Sequence, residues 1–197
     1  FTYAVLTTRH HDGFALWPSD AGDFSTKNYM NGRDLVREYA DACRKLGLKV
    51  GFYYSPPDWR FDQKYRSFAI GSRTEENPDR PHGDIDHKPI KGDLPAMPEE
   101  HFDSYIEYMN AQVRELLTNY GPIYTFFWDI PPRIYDPSMN ELVRSLQPGI
   151  LINDRGWDEG DFSTPEREYE STTGTRFTRM TEACNSLGVQ SWGYREG

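Results

Sequence analysis

Ile123-Tyr-Thr-Phe-Phe-Trp-Asp129-Ile-Pro-Pro132 decides how the chain folds. Six β-branched or aromatic residues run without a break, the pattern of a strand buried on both faces of a parallel sheet. Asp129 ends the run, and Pro131 and Pro132 cannot donate to any further ladder. A carboxylate at the C-terminal tip of a buried parallel strand stands where barrel enzymes present catalytic groups, although an Asp before proline also serves as a simple turn cap.

Similar segments lie on either side. Residues 2–8 read as a first strand, followed by the polar loop Arg9-His-His-Asp-Gly-Phe-Ala-Leu-Trp17. Helical period over about 32–47 puts Leu35, Tyr39, Ala42, Cys43 and Leu46 on one face, and Gly47 stops the helix. Leu48–Tyr54 is the next strand, ending in Ser55-Pro-Pro-Asp-Trp59. Between 60 and 98 periodicity vanishes and charges mix with Gly and Pro, as in a surface insertion carrying His82 and His87. Helical period returns over 99–119 and again over about 137–146, and Gly149–Ile152 forms a last strand with Asn153-Asp-Arg155 at its tip.

Strand–helix units with polar residues at the strand ends indicate α/β architecture with a parallel sheet. No glycine-rich phosphate loop follows any strand, which disfavours the open nucleotide-binding sheet and favours a partial (β/α)8 TIM-like barrel. The chain begins inside a strand at Phe1 and ends just after an aromatic, strand-like element, so it reads as an internal piece of one catalytic domain, residues 1–197.

With 31 Asp plus Glu against 22 Lys plus Arg, the net charge of -9 disfavours binding to a nucleic-acid backbone. No window has the apolar length of a membrane span. The two cysteines, 43 and 184, give neither a disulfide framework nor metal-ligand spacing, and Cys43 reads as a small buried hydrophobe. Adjacent His10 and His11 on an extended backbone would point opposite ways, so no shared metal and no cofactor is expected, though a metal-assisted hydrolase using both remains a rival. Glycoside hydrolysis needs two carboxyls about one anomeric carbon. Asp129 suits one role; Glu166 and Glu182 are both candidates for the other.

Taken together, the motifs resemble the α-L-fucosidase family, glycoside hydrolase family 29. The resemblance rests on Thr7-Thr-Arg-His-His-Asp-Gly-Phe14 with Trp17, Arg33-Asp-Leu-Val36, Gly51-Phe-Tyr-Tyr-Ser55 with Trp59, and Trp128-Asp129. Asn153-Asp-Arg155, Gly160-Asp-Phe with Thr164-Pro-Glu166, and Ser191-Trp-Gly-Tyr194 continue it in the family's order. Two departures stand out: Phe127-Trp-Asp-Ile lacks the family's Trp-x-Asp-Gly pattern, and Thr181 replaces a Trp before Glu182.

The resemblance implies a barrel-like catalytic domain with earlier strands and a later β-sandwich outside this chain, and a retaining exo-hydrolase of terminal α-L-fucose on glycans. It assigns Asp129 as nucleophile, with Glu182 slightly preferred to Glu166 as acid/base. Sugar contacts fall to His10, His11, Tyr53 or Tyr54, Arg155 and Trp192, with Trp17 or Trp128 beside the methyl group. A catalytically inactive sugar-binding homologue, or a glycosidase for a related sugar, is the alternative. A secreted, periplasmic or lysosomal setting follows from the resemblance alone.

Overall fold

The computed structural model describes residues 1–61, 82–83, 89–90, 95, 98–129, 138–167, 176–186 and 192. In chain order these form β1 (Tyr3–Arg9), α1 (Thr26–Tyr29), α2 (Leu35–Lys45), β2 (Lys49–Tyr54), β3 (His82–Gly83), β4 (Pro89–Ile90), α3 (Glu99–Asn119), β5 (Thr125–Trp128), α4 (Ser138–Leu146) and β6 (Leu151–Ile152). β3 and β4 make a small antiparallel pair. The rest of the expected insertion, His87 included, lies outside the described residues, as do Ile130–Pro132, Ser191, Gly193 and Tyr194.

The main sheet has the order β1-β2-β5-β6, and every pairing in it is parallel. The strands follow one another across the sheet without a reversal of direction. A doubly wound sheet reverses its order and carries helices on both faces. Here α2 packs on β1 and β2, while α3 and α4 reach Tyr54 and Trp128 on that same face. This is a segment of barrel wall.

Strand alternation divides the residues between the two faces. Val50, Phe52, Tyr54, Phe126 and Trp128 turn toward the helices and are buried with Val36, Ala40, Val113 and Leu116. Fully burying an aromatic or aliphatic side chain of this size stabilises by roughly 1.5–3 kcal/mol, so this layer supplies much of the cohesion. Val5, Tyr53, Thr125 and Phe127 face the other way; methyls of Val5 and Thr125 converge over Gly51, and the Tyr53 and Phe127 rings stack 5.7 Å apart.

The helices match their predicted spans to within a few residues, but the face of α2 is rotated. Val36, Ala40 and Cys43 are buried and Tyr39 is half-buried, whereas Ala42 and Leu46 face solvent. The α2 N-terminus is fixed by Asp34, whose carboxylate accepts from the Arg37 amide at 2.8 Å and from the Tyr120 hydroxyl at 2.9 Å. Gly47 then leaves the helix with φ of 72°.

A charged side chain is also buried among these apolar layers. The Arg9 guanidinium, fully buried, pairs with Asp58 at 3.2 Å and donates to Gln112 Oε1 at 3.0 Å, to the Tyr54 hydroxyl and to the Pro57 carbonyl. It ties the end of β1 to the loop after β2 and to α3. Burying a guanidinium is tolerable only because this many acceptors surround it.

Candidate active site

The C-terminal ends of β1, β2, β5 and β6 bring five predicted residues together. β5 ends at Trp128, and the next residue, Asp129, still donates its amide to the Tyr54 carbonyl at 3.2 Å and carries a 14% exposed side chain. Its Oδ2 accepts from the Tyr53 hydroxyl and its Oδ1 accepts from Arg155 Nη1 at 2.9 Å. His11 Nε2 stands 3.7 Å from Oδ2, and the exposed His10 ring stacks on Tyr53 at 5.6 Å.

The strand tip is held from its neighbour. The Asn153 side chain accepts from the Trp128 amide and donates to the Trp128 carbonyl, both at 2.8 Å, extending the pairing one residue past β6. Arg155 is anchored in turn by Thr164, whose carbonyl accepts from Nε at 3.1 Å and Nη2 at 2.8 Å. With those positions fixed, Nη1 reaches both Asp129 and Glu166, the latter at 3.1 Å. Glu166 is paired to Cys184 by a parallel bridge, which brings the 162–166 and 181–184 segments side by side.

Electrostatics fixes the protonation of several groups. Burial, reinforced by the Asp129 charge, raises the Tyr53 hydroxyl well above its ordinary value and keeps it a neutral donor. His11 falls to about 4, chiefly through burial and then through His10, with Asp129 opposing the shift. Burial works against the Arg155 charge, yet the bond and charge of Asp129 raise its pKa above the ordinary value. The nearby Cys184 thiol is pushed up to about 11 by burial, so it is no thiolate nucleophile at neutral pH.

The two histidines do not diverge as the sequence suggested. β1 stops at Arg9, and a turn closed by the Gly13 amide on the His10 carbonyl, 3.0 Å, folds them side by side with ring centroids 4.1 Å apart. Gly13 has φ of 82° and the Asp58 carboxylate fills the space a side chain would need, so this turn requires glycine. His10, His11 and Asp129 offer ligand atoms within 4.8 Å of one another. Both Asp129 oxygens, however, already accept from Tyr53 and Arg155, and the guanidinium charge opposes a second cation there.

Other predicted contacts lie elsewhere. Tyr54 and Trp128 alternate with the site residues and therefore face the helices, fully buried against Gln112 and Asn140. Trp17 is 1% exposed and donates to Glu115 Oε2 at 2.7 Å, on the helix side of the sheet. Glu182 accepts from Tyr3, which begins β1 at the end remote from Asp129, and among the described residues it has no bond to Asp129 or Arg155. Trp192 is exposed, with the Arg167 guanidinium 5.6 Å from its ring.

Residues the sequence reading did not assign also reach the site. The Trp59 ring packs 5.4 Å from His11, and its amide donates to the His11 carbonyl at 2.7 Å. Ser55 bonds His11 Nδ1. The polar Gln112, on the buried stripe of α3, and the Arg at a strand end were the available signals for the network beneath them.

Comparison with known proteins agrees with this geometry. A family model described as Alpha-L-fucosidase matches residues 1–197. The human tissue alpha-L-fucosidase is 43% identical over 98% of this chain, and alpha-L-fucosidase 1 of Arabidopsis thaliana is 31% identical over 80%. The chain spans only 38% and 26% of those relatives' lengths. Among solved structures, alpha-L-fucosidase isoenzyme 1 from Paenibacillus thiaminolyticus is similar with a TM-score of 0.68 and 35% identity, over 94% of this chain and 45% of that one. The Lactobacillus casei alpha-L-fucosidase AlfC in complex with alpha-L-fucose product follows at 0.58 and 30%, over 83% of this chain and 50% of that one. The chain belongs to the α-L-fucosidase family, and its parallel sheet is part of that family's TIM-like catalytic domain.

Proposed function

We propose that the protein carrying this chain removes terminal α-L-fucose from glycans with retention of configuration, using Asp129 as nucleophile and Glu166 as acid/base. The observation that carries this reading is the shared nitrogen. Asp129 Oδ1 and Glu166 Oε2 lie 2.9 and 3.1 Å from Arg155 Nη1. These two oxygens are therefore at most about 6 Å apart, closer to the ~5–5.5 Å of retaining glycosidases than to the ~6.5–9.5 Å of inverting ones. The fucose-bound relative supports the sugar.

Asp129 would attack the anomeric carbon as the bond to the leaving oxygen breaks, and Glu166 would give its proton to that oxygen. A glycosyl ester on Asp129 results. Glu166, now a carboxylate, would take a proton from water as the water opens the ester. Arg155 then faces one anionic carboxylate in both the Michaelis complex and the intermediate, Asp129 in the first and Glu166 in the second. Tyr53, bonded to Asp129, would orient the nucleophile, and His10 and His11, which lie beside Tyr53 and Asp129, would bind sugar hydroxyls. Glu182, preferred slightly on sequence, is engaged by Tyr3 instead.

The test is hydrolysis of an aryl α-L-fucoside by the full-length protein, with the first-formed anomer followed by NMR. Early α-fucose supports the proposal. Early β-fucose overturns retention, and fucose binding without turnover would identify a catalytically inactive homologue.

A further inference from the structure

Ser55 is buried at the end of β2, with its amide on the Arg9 carbonyl at 3.1 Å and its hydroxyl against His11 Nδ1. The next acceptor for that hydroxyl is the Pro57 carbonyl at 3.3 Å, which already receives Arg9 Nη2 at 3.3 Å. A serine hydroxyl has one proton, and a neutral imidazole has one N–H. Two arrangements are open. If Nδ1 carries the imidazole proton, the Nε2 lone pair faces the Asp129 carboxylate 3.7 Å away. If Nε2 carries it, an N–H faces the carboxylate and the nearer acceptor for Ser55 is the free Nδ1.

We infer that Ser55 is a positioning residue whose hydroxyl donates to His11 Nδ1 and fixes the imidazole with its N–H on Nε2, aimed toward Asp129. The second arrangement leaves no electron-rich pair facing another, and the Pro57 carbonyl keeps its Arg9 donor. The Trp59 and His10 rings, 5.4 and 4.1 Å from the His11 ring, limit its rotation. Among the described residues, the charged and titratable groups around His11 are Arg9 and His10 on its own segment and Asp129 across from it; Ser55 and Trp59 come from the loop after β2. This inference rests on the glycosidase reading for its consequence. A sugar hydroxyl seated between Nε2 and Oδ2 would accept from His11 and donate to Asp129, so the pair would recognise a hydroxyl oxygen rather than an ether or a bare methylene. Protonating Nδ1 would reverse the Ser55 bond, turning the hydroxyl proton onto the Pro57 carbonyl that Arg9 already occupies, and would set the imidazolium charge against the nucleophile, lowering turnover.

The measurement is made on the full-length protein with histidine ring nitrogens labelled by 15N, and His11 is assigned by difference from His11→Gln. A pyrrole-like Nε2 and a pyridine-like Nδ1 at neutral pH are the expected result. The opposite assignment, or two averaged shifts, overturns the inference whether or not the protein hydrolyses fucosides. Absent hydrolysis with the expected tautomer would sink the functional reading alone. In an active protein, Ser55→Ala should move the acid limb of the kcat/KM profile up by about one pH unit, and Ser55→Thr should restore it. A uniform loss with an unmoved profile would make Ser55 merely structural and overturn the inference.

Discussion

Asp129 and Glu166 hang from one nitrogen, Arg155 Nη1, at 2.9 and 3.1 Å. If the two carboxylates act as nucleophile and acid/base, azide should tell them apart. Asp129→Gly should lose at least about 10³-fold in kcat and, with azide, yield the β-fucosyl azide. Glu166→Ala should lose about 10²–10⁴-fold on poor leaving groups and yield the α-azide. Glu182→Ala should show neither leaving-group sensitivity nor azide rescue. A β-azide from Glu166→Ala would reverse the roles.

Arg155 also spends Nε and Nη2 on the Thr164 carbonyl, so its reach depends on a planar fork. Lysine keeps the charge and loses the fork. Arg155→Lys should lower kcat by roughly 10²-fold, because about 1 Å of misplacement costs that much. Steady-state kinetics would show it, and near-wild-type kcat would mean that charge alone suffices.

The Arg9–Asp58 pair lies 3.2 Å apart with both side chains buried. Arg9→Met leaves Asp58 without its counter-charge and should cost about 3–5 kcal/mol in urea unfolding of the full-length protein. Replacing both, Arg9→Met with Asp58→Asn, should recover part of that loss. An additive double variant would show that the two side chains contribute separately.

His11, at about 4 in the folded protein against 6.5 for the free side chain, also makes a pH prediction. The unfolded chain takes up this proton first as pH falls. Stability from this group is therefore full above about 6.5 and declines as pH drops toward 4. The decline should be about 2 kcal/mol once the ring's partial exposure is discounted. Comparing Tm against pH for the wild type and His11→Asn would isolate it; parallel curves would refute the shift.

Much of this was legible in the sequence. The run from Ile123 to Trp128 and the helical periods gave the parallel sheet, because burial on two faces leaves little room for polar residues. Asp129, Arg155 and both histidines were legible as strand-end polar groups. Choosing between Tyr53 and Tyr54 was harder, since it depends on which face of β2 meets the helices, and both residues are tyrosine. Trp17 read as a sugar platform because aromatic chemistry is the same in a pocket and a core. The choice between Glu166 and Glu182 depends on how two loop segments pair, and neither segment has periodicity to disclose it.

Alternation in β2 and at the end of β5 makes the pocket and the core two interleaved readings of one string. Tyr53 and Asp129 belong to one, Tyr54 and Trp128 to the other. A point substitution can alter either reading alone. A one-residue insertion or deletion within β2 exchanges them, sending the Tyr53 ring into the helices and the Arg9-bound tyrosine out to the carboxylate. Length in these strands should therefore resist change more strongly than side-chain identity, and loops after the strand ends are where new specificity can be added without disturbing either set.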